Sequence, residues 1–151
     1  MIKLGNRTFN YEVSKAIVQC KMLSGRYRTE MLARHWSSNK SGLCLTPTCR
    51  DIEEDLAHIL VSCPSYQQSR IKLQNLWLSC KFPYLRHLLA TILIGPESEL
   101  LQFILDPSVH PKIIVYVQNN DTDIFRAVFH LTRTWCYTIH RQRAKLLGRW
   151  P

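Results

Sequence analysis

The chain of 151 residues is long enough for one domain of ordinary size and too short for two complete enzymes. Hydrophobic residues make up 46% and charged residues 21%, which is enough apolar material for a core and excludes wholesale disorder. Twenty Lys and Arg against 11 Asp and Glu give a net charge of +9, which favours a polyanionic partner, and no apolar run approaches the roughly 20 residues that span a membrane.

Two helices are predicted before the first cysteine pair. From Tyr11 to Leu23 apolar side chains recur every three or four residues, and Gly25 is a natural helix stop. Thr29 can cap a shorter helix that ends near Trp36, where a run of turn-forming residues begins. A polar loop therefore leads to the cysteines.

Further helical segments follow in the middle of the chain. Acidic residues at 53–55 favour the start of a short helix that ends at Pro64, and this proline can open the next helix, over about 65–78. A leucine-rich stripe predicts a helix over 82–93, and a Gly-Pro pair stops it. Residues 98–105 form another short helical pattern.

The last third contains one ambiguous segment and one long helix. The β-branched run 113–117 fits a lone strand or a buried helix, and we favour the helix because no second strand candidate exists to pair with it. Asp121 can cap a helix that extends to about Leu147. Its apolar stripe consists of Ile124, Val128, Leu131, Trp135 and Ile139. The predicted fold class is therefore all-α.

The strongest chemical signal is a set of four metal-binding residue types within 20 positions. The set is Cys44, Cys49, His58 and Cys63. Three thiolates and one imidazole at short spacing match a closed structural zinc site, which contributes to folding rather than to hydrolysis. The alternative is that these are buried free cysteines and a satisfied histidine, as we expect for Cys20, Cys80 and Cys136. The polar surroundings of the four residues favour zinc. The segment 44–63 is called the knuckle below.

The final helix is predicted to carry a cationic face opposite its apolar stripe. The cationic stripe consists of Arg126, His130, Arg133, Tyr137, Arg141 and Lys145, with Arg143 as a further cation. No acidic residue follows Asp123, whereas a face that serves only solubility usually mixes both signs. A solubilising face remains the alternative to a nucleic-acid contact.

A second cationic group interleaves arginines with rings near the predicted second helix. It comprises Arg26, Arg28 and Arg34 with Tyr27, His35 and Trp36. Arginines bind phosphates and rings stack on bases, but Tyr27 and Trp36 serve equally well as cover for the knuckle. For Arg70 we expect a surface or knuckle-facing ion pair with the acidic group at 53–55.

Several features over residues 22–70 occur together in one known family. They are the Leu23-Ser24-Gly25 helix end within Met22–Tyr27, Leu32, the Cys-Cys-His-Cys spacing followed by Pro64, the Glu54-x-x-x-His58-x-Leu60 pattern, and Arg70 downstream. In this order they resemble the region after the reverse transcriptase domain in non-LTR (LINE-type) retrotransposon polyproteins. The resemblance covers roughly residues 13–78, and the tail from 129 to 150 also looks like the end of such polyproteins.

The resemblance implies an accessory module that grips template RNA or target DNA beside a polymerase. The chain contains no paired-aspartate polymerase motif, so it is not expected to copy RNA itself. One branch of the family carries a restriction-like nuclease after the knuckle. The candidates for it here are Asp106, Lys112, Asp121 and Asp123, and the last two serve equally as helix caps. We therefore predict no enzymatic activity.

The sequence as a whole predicts an all-α domain organised around a Cys3His zinc knuckle. It comprises a helical zinc-knuckle region at residues 1–80 and a C-terminal helical extension at 81–151 packed on it, ending in a long basic amphipathic helix. The expected cofactor is structural Zn²⁺, and the expected partners are RNA or DNA at the basic terminal segments and a reverse transcriptase domain in cis or in trans. No membrane contact is expected, and the location is predicted to be intracellular, in the nucleus or cytoplasm. The alternative is a structural or protein-interaction fragment without nucleic-acid binding of its own.

Overall fold

The computed structural model describes residues 2–148, and the all-α prediction is confirmed for them. Within this range the chain forms α-helices, short 3-10 turns, one π-helix and a single isolated antiparallel bridge between Leu43 and Glu53. The helices are α1 (Ile2–Leu23), α2 (Glu30–Trp36), α3 (Gln67–Leu78), α4 (Pro83–Ile94), α5 (Glu97–Leu105), α6 (Pro111–Gln118) and α7 (Thr122–Leu146). The ambiguous run at 113–117 is therefore helical.

Local chemistry sets several of these boundaries as predicted. Gly25 ends α1 with a φ of 73°, a left-handed conformation that a Cβ disfavours. The Thr29 hydroxyl accepts a hydrogen bond from the Leu32 amide and so caps α2. Asp121 caps α7 in the same way, through the amide of Ile124 at 3.3 Å. Each cap satisfies an amide that the helix itself leaves unpaired.

Helix α7 lies at the centre of the fold. The predicted stripe residues Val128, Leu131, Trp135 and Ile139 are buried, and α7 packs against α1, α3, α5 and α6. The Trp135 ring lies 4.8 Å from that of Trp77 on α3, centroid to centroid. Rings of this size remove the largest apolar areas from water, so this contact is a main part of the core.

Helix α1 leaves several of its apolar side chains at the surface. Val13, Ile17 and Leu23, whose spacing predicts the helix, are 40%, 49% and 51% exposed. The buried face instead includes Gln19, whose amide nitrogen donates to the Ile104 carbonyl at 2.9 Å and to a threonine hydroxyl on α7 at 3.0 Å. A buried amide with its donors paired costs little to desolvate, so α1 buries Gln19 together with Val18 and Met22 and leaves an apolar stripe on the surface.

The hydrophobic core contains residues from both predicted regions, among them Leu60 and Trp135, which lie on either side of residue 80. The Trp135 indole N–H also donates to the Leu60 carbonyl at 3.1 Å. In the described part of the chain, no helix has the length and apolar character needed to cross a membrane.

Candidate metal centre and cationic surfaces

The four predicted ligands come together in one buried cluster. Their ligand atoms, three Sγ and the Nε2 of His58, all lie within 4.8 Å of one another. The Sγ of Cys49 is 3.7 Å from that of Cys63 and 3.5 Å from His58 Nε2, and the Sγ atoms of Cys44 and Cys63 are 4.0 Å apart. A disulfide needs about 2.05 Å, so these are free thiols arranged as a metal site would require.

Backbone hydrogen bonds hold the first two cysteines on a closed loop. The Cys44 amide donates to the Ile52 carbonyl at 2.8 Å, and the Glu54 amide donates to the Gly42 carbonyl at 3.0 Å. Between these ends, the Cys49 amide donates to the Thr46 carbonyl at 3.1 Å. The loop therefore folds back on itself and places two thiols on its inner side.

A π-helix supplies the other two ligands. It spans His58–Ser62, and the Cys63 amide donates to the His58 carbonyl at 2.7 Å. In an α-helix, residues five apart lie on well-separated faces, whereas the i→i+5 hydrogen bond of a π-helix brings them closer to one face. Asp55 Oδ1 accepts from the His58 amide at 2.8 Å and fixes the start of this segment.

Burial changes the acidity of the cluster. It raises the pKa of Cys44 to about 11, against the opposing effect of hydrogen bonds from Thr46. Burial also acts on Cys49, but hydrogen bonds from Thr46 and the neighbouring thiols outweigh it and lower the pKa of that group. Burial lowers the pKa of His58, which favours the neutral imidazole that a metal binds.

Thr46 is a part of the site that the sequence analysis did not single out. Its side chain is buried, and Oγ1 lies 3.2 Å from Cys44 Sγ and 3.7 Å from Cys63 Sγ. A hydroxyl in this position can donate to a metal-bound thiolate and orient it. The only sequence signal is a polar residue two positions after the first cysteine.

Arg70 is buried and does not pair with the acidic group at 53–55, so that prediction is wrong. Its Nη2 donates to Gln67 Oε1 at 2.8 Å, and its guanidinium lies close enough to Cys63 to be affected by charge there. Among the other cysteines, Cys80 and Cys136 are buried as predicted, but Cys20 is exposed because it lies on the outer side of α1.

Arg143 was predicted to contact nucleic acid, and the structure places it elsewhere. It is 6% exposed, and Nη2 and Nε bind the two carboxylate oxygens of Glu54 at 2.7 and 3.2 Å. Glu54 itself is 0% exposed, and Glu30 Oε1 lies 3.8 Å from the same guanidinium. Arg143 therefore ties α7 to the knuckle and α2, and it is not available to phosphates.

The predicted cationic stripe of α7 is partly covered by α1. Arg133 is half-buried and donates to Gln19 Oε1 at 3.3 Å. The Tyr137 ring packs edge-on against Tyr11 on α1, with ring centroids 5.3 Å apart. Arg126 and Lys145 are exposed near the two ends of the helix, and Arg141 is exposed over the Tyr137 ring. The cations are thus grouped at the ends of α7 rather than along one continuous face.

The second cationic group is divided by its orientation. Arg26, Arg28 and Trp36 are exposed, whereas Tyr27 is buried with its hydroxyl 2.9 Å from His140 Nδ1. Arg34 is exposed but faces the Glu53 carboxylate at 3.9 Å. The possibility that Trp36 is core is thereby excluded. Lys40, which no sequence pattern singled out, lines a surface groove together with Trp36.

The nuclease candidates do not form one cluster. Asp106 and Lys112 line a cavity of about 350 Å³, but the Asp106 carboxylate accepts from the Ser108 amide at 3.1 Å as a cap. Asp121 caps α7, and Asp123 lies in its first turn. In the described residues, the Cys3His cluster is the one group of such side chains close enough to hold a metal.

Comparison of the chain with protein-family models, with curated proteins and with solved structures found no match. Inference about function therefore depends on the chemistry of the site and of the surfaces around it.

Proposed function

We propose that the chain is a zinc-stabilised nucleic-acid-binding module, an accessory part or remnant of a LINE-type retroelement reverse transcriptase protein, with no catalytic activity of its own. The observation that carries the proposal is the buried Cys3His cluster in a fold that exposes cations at both terminal segments. The sequence resemblance over residues 13–78 supports the same assignment.

The ligand set fits zinc. A tetrahedral ion with Zn–S bonds of about 2.3 Å and a Zn–N bond of about 2.0 Å separates two sulfurs by about 3.8 Å and a sulfur from a nitrogen by about 3.5 Å. Here Cys63 Sγ lies 3.7 Å from Cys49 Sγ and 4.0 Å from Cys44 Sγ, and Cys49 Sγ lies 3.5 Å from His58 Nε2. All four ligand atoms lie within 4.8 Å of one another. Thiolate-rich sets favour zinc over the oxygen-seeking divalent ions.

The number of protein ligands supports a structural role. Four buried side chains would complete the tetrahedron of a bound zinc and would leave no position for a water nucleophile. When bound, zinc supplies cross-linking of the loop to the π-helix. The ion pair between Glu54 and Arg143 then holds α2 and α7 against the knuckle.

The distribution of carboxylates supports a polyanionic partner. Glu30 and Glu54 are buried around Arg143, and Asp55, Asp106 and Asp121 cap helices or turns. These five carboxylates are engaged by hydrogen bonds or ion pairs within the chain. The cations at the terminal segments, among them Arg26, Arg28, Arg126 and Lys145, are exposed and can release counterions from a nucleic-acid backbone.

The zinc component is tested by elemental analysis of the purified, reduced protein. We expect one zinc per chain, and chelation should unfold at least the knuckle because metal binding is linked to folding. A Cys49→Ser, Cys63→Ser double variant should lose the metal, while Cys20→Ser, an exposed cysteine outside the cluster, should keep it. A zinc content near zero in the parent, or full retention in the double variant, would overturn the assignment.

The nucleic-acid component is tested by the salt dependence of binding. Affinity for RNA or DNA should fall linearly with salt on logarithmic axes, and replacing Arg126, Arg141 and Lys145 with Gln should lower the slope by about one unit for each lost phosphate contact. Gln is nearly as good a helix former as Arg or Lys, so the fold is kept. Gln at the exposed Lys72 and Lys112 serves as the control and should leave the slope unchanged.

The exposed apolar stripe of α1 favours a second candidate, a protein-docking fragment. Val13, Ile17 and Leu23 lie there without cover from the described chain. This candidate predicts that the parent and the Gln variant bind nucleic acid equally weakly, with no dependence on salt.

A further inference from the structure

We propose that the groove between the α1–α2 turn and the end of α2 binds single-stranded nucleic acid by stacking a base on Trp36. The flanking phosphates would then be bound by Arg26, Arg28 and Lys40. This inference rests on the proposed nucleic-acid binding and specifies its site and the class of strand that it accepts.

Trp36 is unusually placed for a tryptophan. It is the last residue of α2 and is 80% exposed, although an indole is one of the largest apolar surfaces that a side chain can bury. His35 packs edge-on against it, with ring centroids 6.3 Å apart. One ring therefore lies at the surface with a neighbour beside it, as on a stacking platform.

The groove has the size and lining of a ligand site. Its volume is about 450 Å³, within the roughly 300–1,000 Å³ of small-ligand pockets. Trp36, Leu32 and Ala33 supply apolar surface, and the remaining residues that line it are Gly25, Arg26, Arg28, Ser37 and Lys40. An aromatic base can thus be sandwiched against a largely apolar wall.

The charge at the rim selects the occupant. Arg26, Arg28 and Lys40 are exposed cations, and no acidic side chain is among the residues that line the groove. Arg34, the cation nearest in sequence to Trp36, faces Glu53 instead. A ring beside exposed cations is the combination that binds a base and its phosphates, whereas a neutral apolar peptide would not neutralise their three charges.

The two arginines also border a second cavity, which extends the track. This cavity of about 270 Å³ lies between α1 and α7, and it shares Arg26 and Arg28 with the first and adds Lys21 and His140. Tyr27, which lies between Arg26 and Arg28 in the sequence, is buried and so fixes the backbone that carries the two arginines. A strand stacked on Trp36 can therefore continue across the arginines towards Lys21.

The geometry favours a single strand over a duplex. Bases within a duplex are stacked on one another and do not offer a free face to a side chain. Stacking on a protein ring accepts any base, because every base has a π-face. We therefore expect binding with little sequence preference and weaker binding of a blunt duplex.

The test measures binding of labelled U10 and dT10 oligonucleotides to the full zinc-loaded chain. Trp36→Ala should weaken binding by roughly 5- to 150-fold, the range for loss of one stacked base, with an unchanged salt slope. Arg26→Gln and Arg28→Gln should each lower the slope by about 0.7, the value for one phosphate contact on a single strand. Trp36→Phe should retain an intermediate affinity, and the fluorescence quenching that the oligonucleotide causes in the parent should be reduced in this variant.

A matched control separates stacking from general apolar contact. Ile94 is 87% exposed at the end of α4, and Ile94→Ala should leave the affinity unchanged. Salt-dependent binding by the parent with equal affinity of Trp36→Ala would overturn this inference and leave the proposed function standing. Absence of salt-dependent binding by the parent to any nucleic acid would overturn both.

Discussion

Replacing Arg143 with Met tests how firmly α7 is tied to the knuckle. Methionine keeps most of the side-chain length and removes the charge and all donors. The carboxylate of Glu54, which is fully buried, then loses both of its guanidinium hydrogen bonds, and Glu30 loses the same neighbour. What remains for Glu54 is the amide of Glu30 at 2.9 Å.

The size of the effect follows from these contacts. Hydrogen bonds to charged groups contribute roughly 1.5–3 kcal/mol each, so two of them give about 3–6 kcal/mol. Removal of one partner of a buried ion pair generally costs about 3–5 kcal/mol. We expect Arg143→Met to lower the free energy of unfolding by about 3–5 kcal/mol, a large fraction of the roughly 5–15 kcal/mol of a typical domain.

Urea unfolding of the zinc-loaded protein measures this loss, and a double-mutant cycle assigns it. Glu54→Gln combined with Arg143→Met should recover part of the loss, with a coupling energy above about 1 kcal/mol. Arg126→Gln, an exposed arginine on the same helix, should change stability by less than about 0.5 kcal/mol. A loss from Arg143→Met as small as this control, or a coupling energy near zero, would refute the role of the pair.

Three further predictions concern individual side chains. Thr46→Val should weaken metal affinity by about 10- to 100-fold in a chelator competition, whereas serine at this position should keep it, because the hydroxyl lies 3.2 Å from a ligand sulfur. Trp135→Phe should lower the free energy of unfolding in urea by about 1–3 kcal/mol, since the Leu60 carbonyl loses its donor. Trp77→Phe is the control, because the buried Nε1 of Trp77 has no partner among the described residues, and an equal loss in the two variants would argue against the hydrogen bond. Burial, with Arg143 and Lys21 nearby, lowers the pKa of His140 below its ordinary value of about 6.5, so the unfolded state binds a proton more readily than the folded state. The parent should therefore lose stability relative to His140→Asn as the pH falls from about 7 to 5.5, and identical pH profiles of the two proteins would contradict this.

Helix positions followed from the sequence wherever a local signal sets them. Thr29, Gly25 and Asp121 act on amides or dihedral angles within four residues, so their effect is visible without the fold. The packing face of α1 was not predictable in this way. It depends on Gln19 meeting a carbonyl of α5 and a hydroxyl of α7, and these partners are 85 and 113 residues away along the chain.

The candidate site also has parts that the sequence predicts and parts that depend on the fold. The ligand set was predictable because metal chemistry restricts residue type and spacing together, and the four side chains meet as expected. The burial of Arg143 was not predictable, since nothing about a basic residue near the end of a basic helix indicates that it pairs with a buried carboxylate 89 positions earlier. The exposure of Trp36 also needed the fold, because an indole at a helix end suits the core as well as the surface.

The π-helix over His58–Ser62 also constrains how the length of this segment can change. A π-helical turn is equivalent to an α-helix with one residue inserted. Two ligands on an ordinary α-helix meet on one face when they are four apart, so removing Val61 would bring His58 and the following cysteine to that spacing. A deletion of one residue here is therefore compatible with metal binding, whereas an insertion of one would move the cysteine to six positions from His58 and turn it away from the cluster.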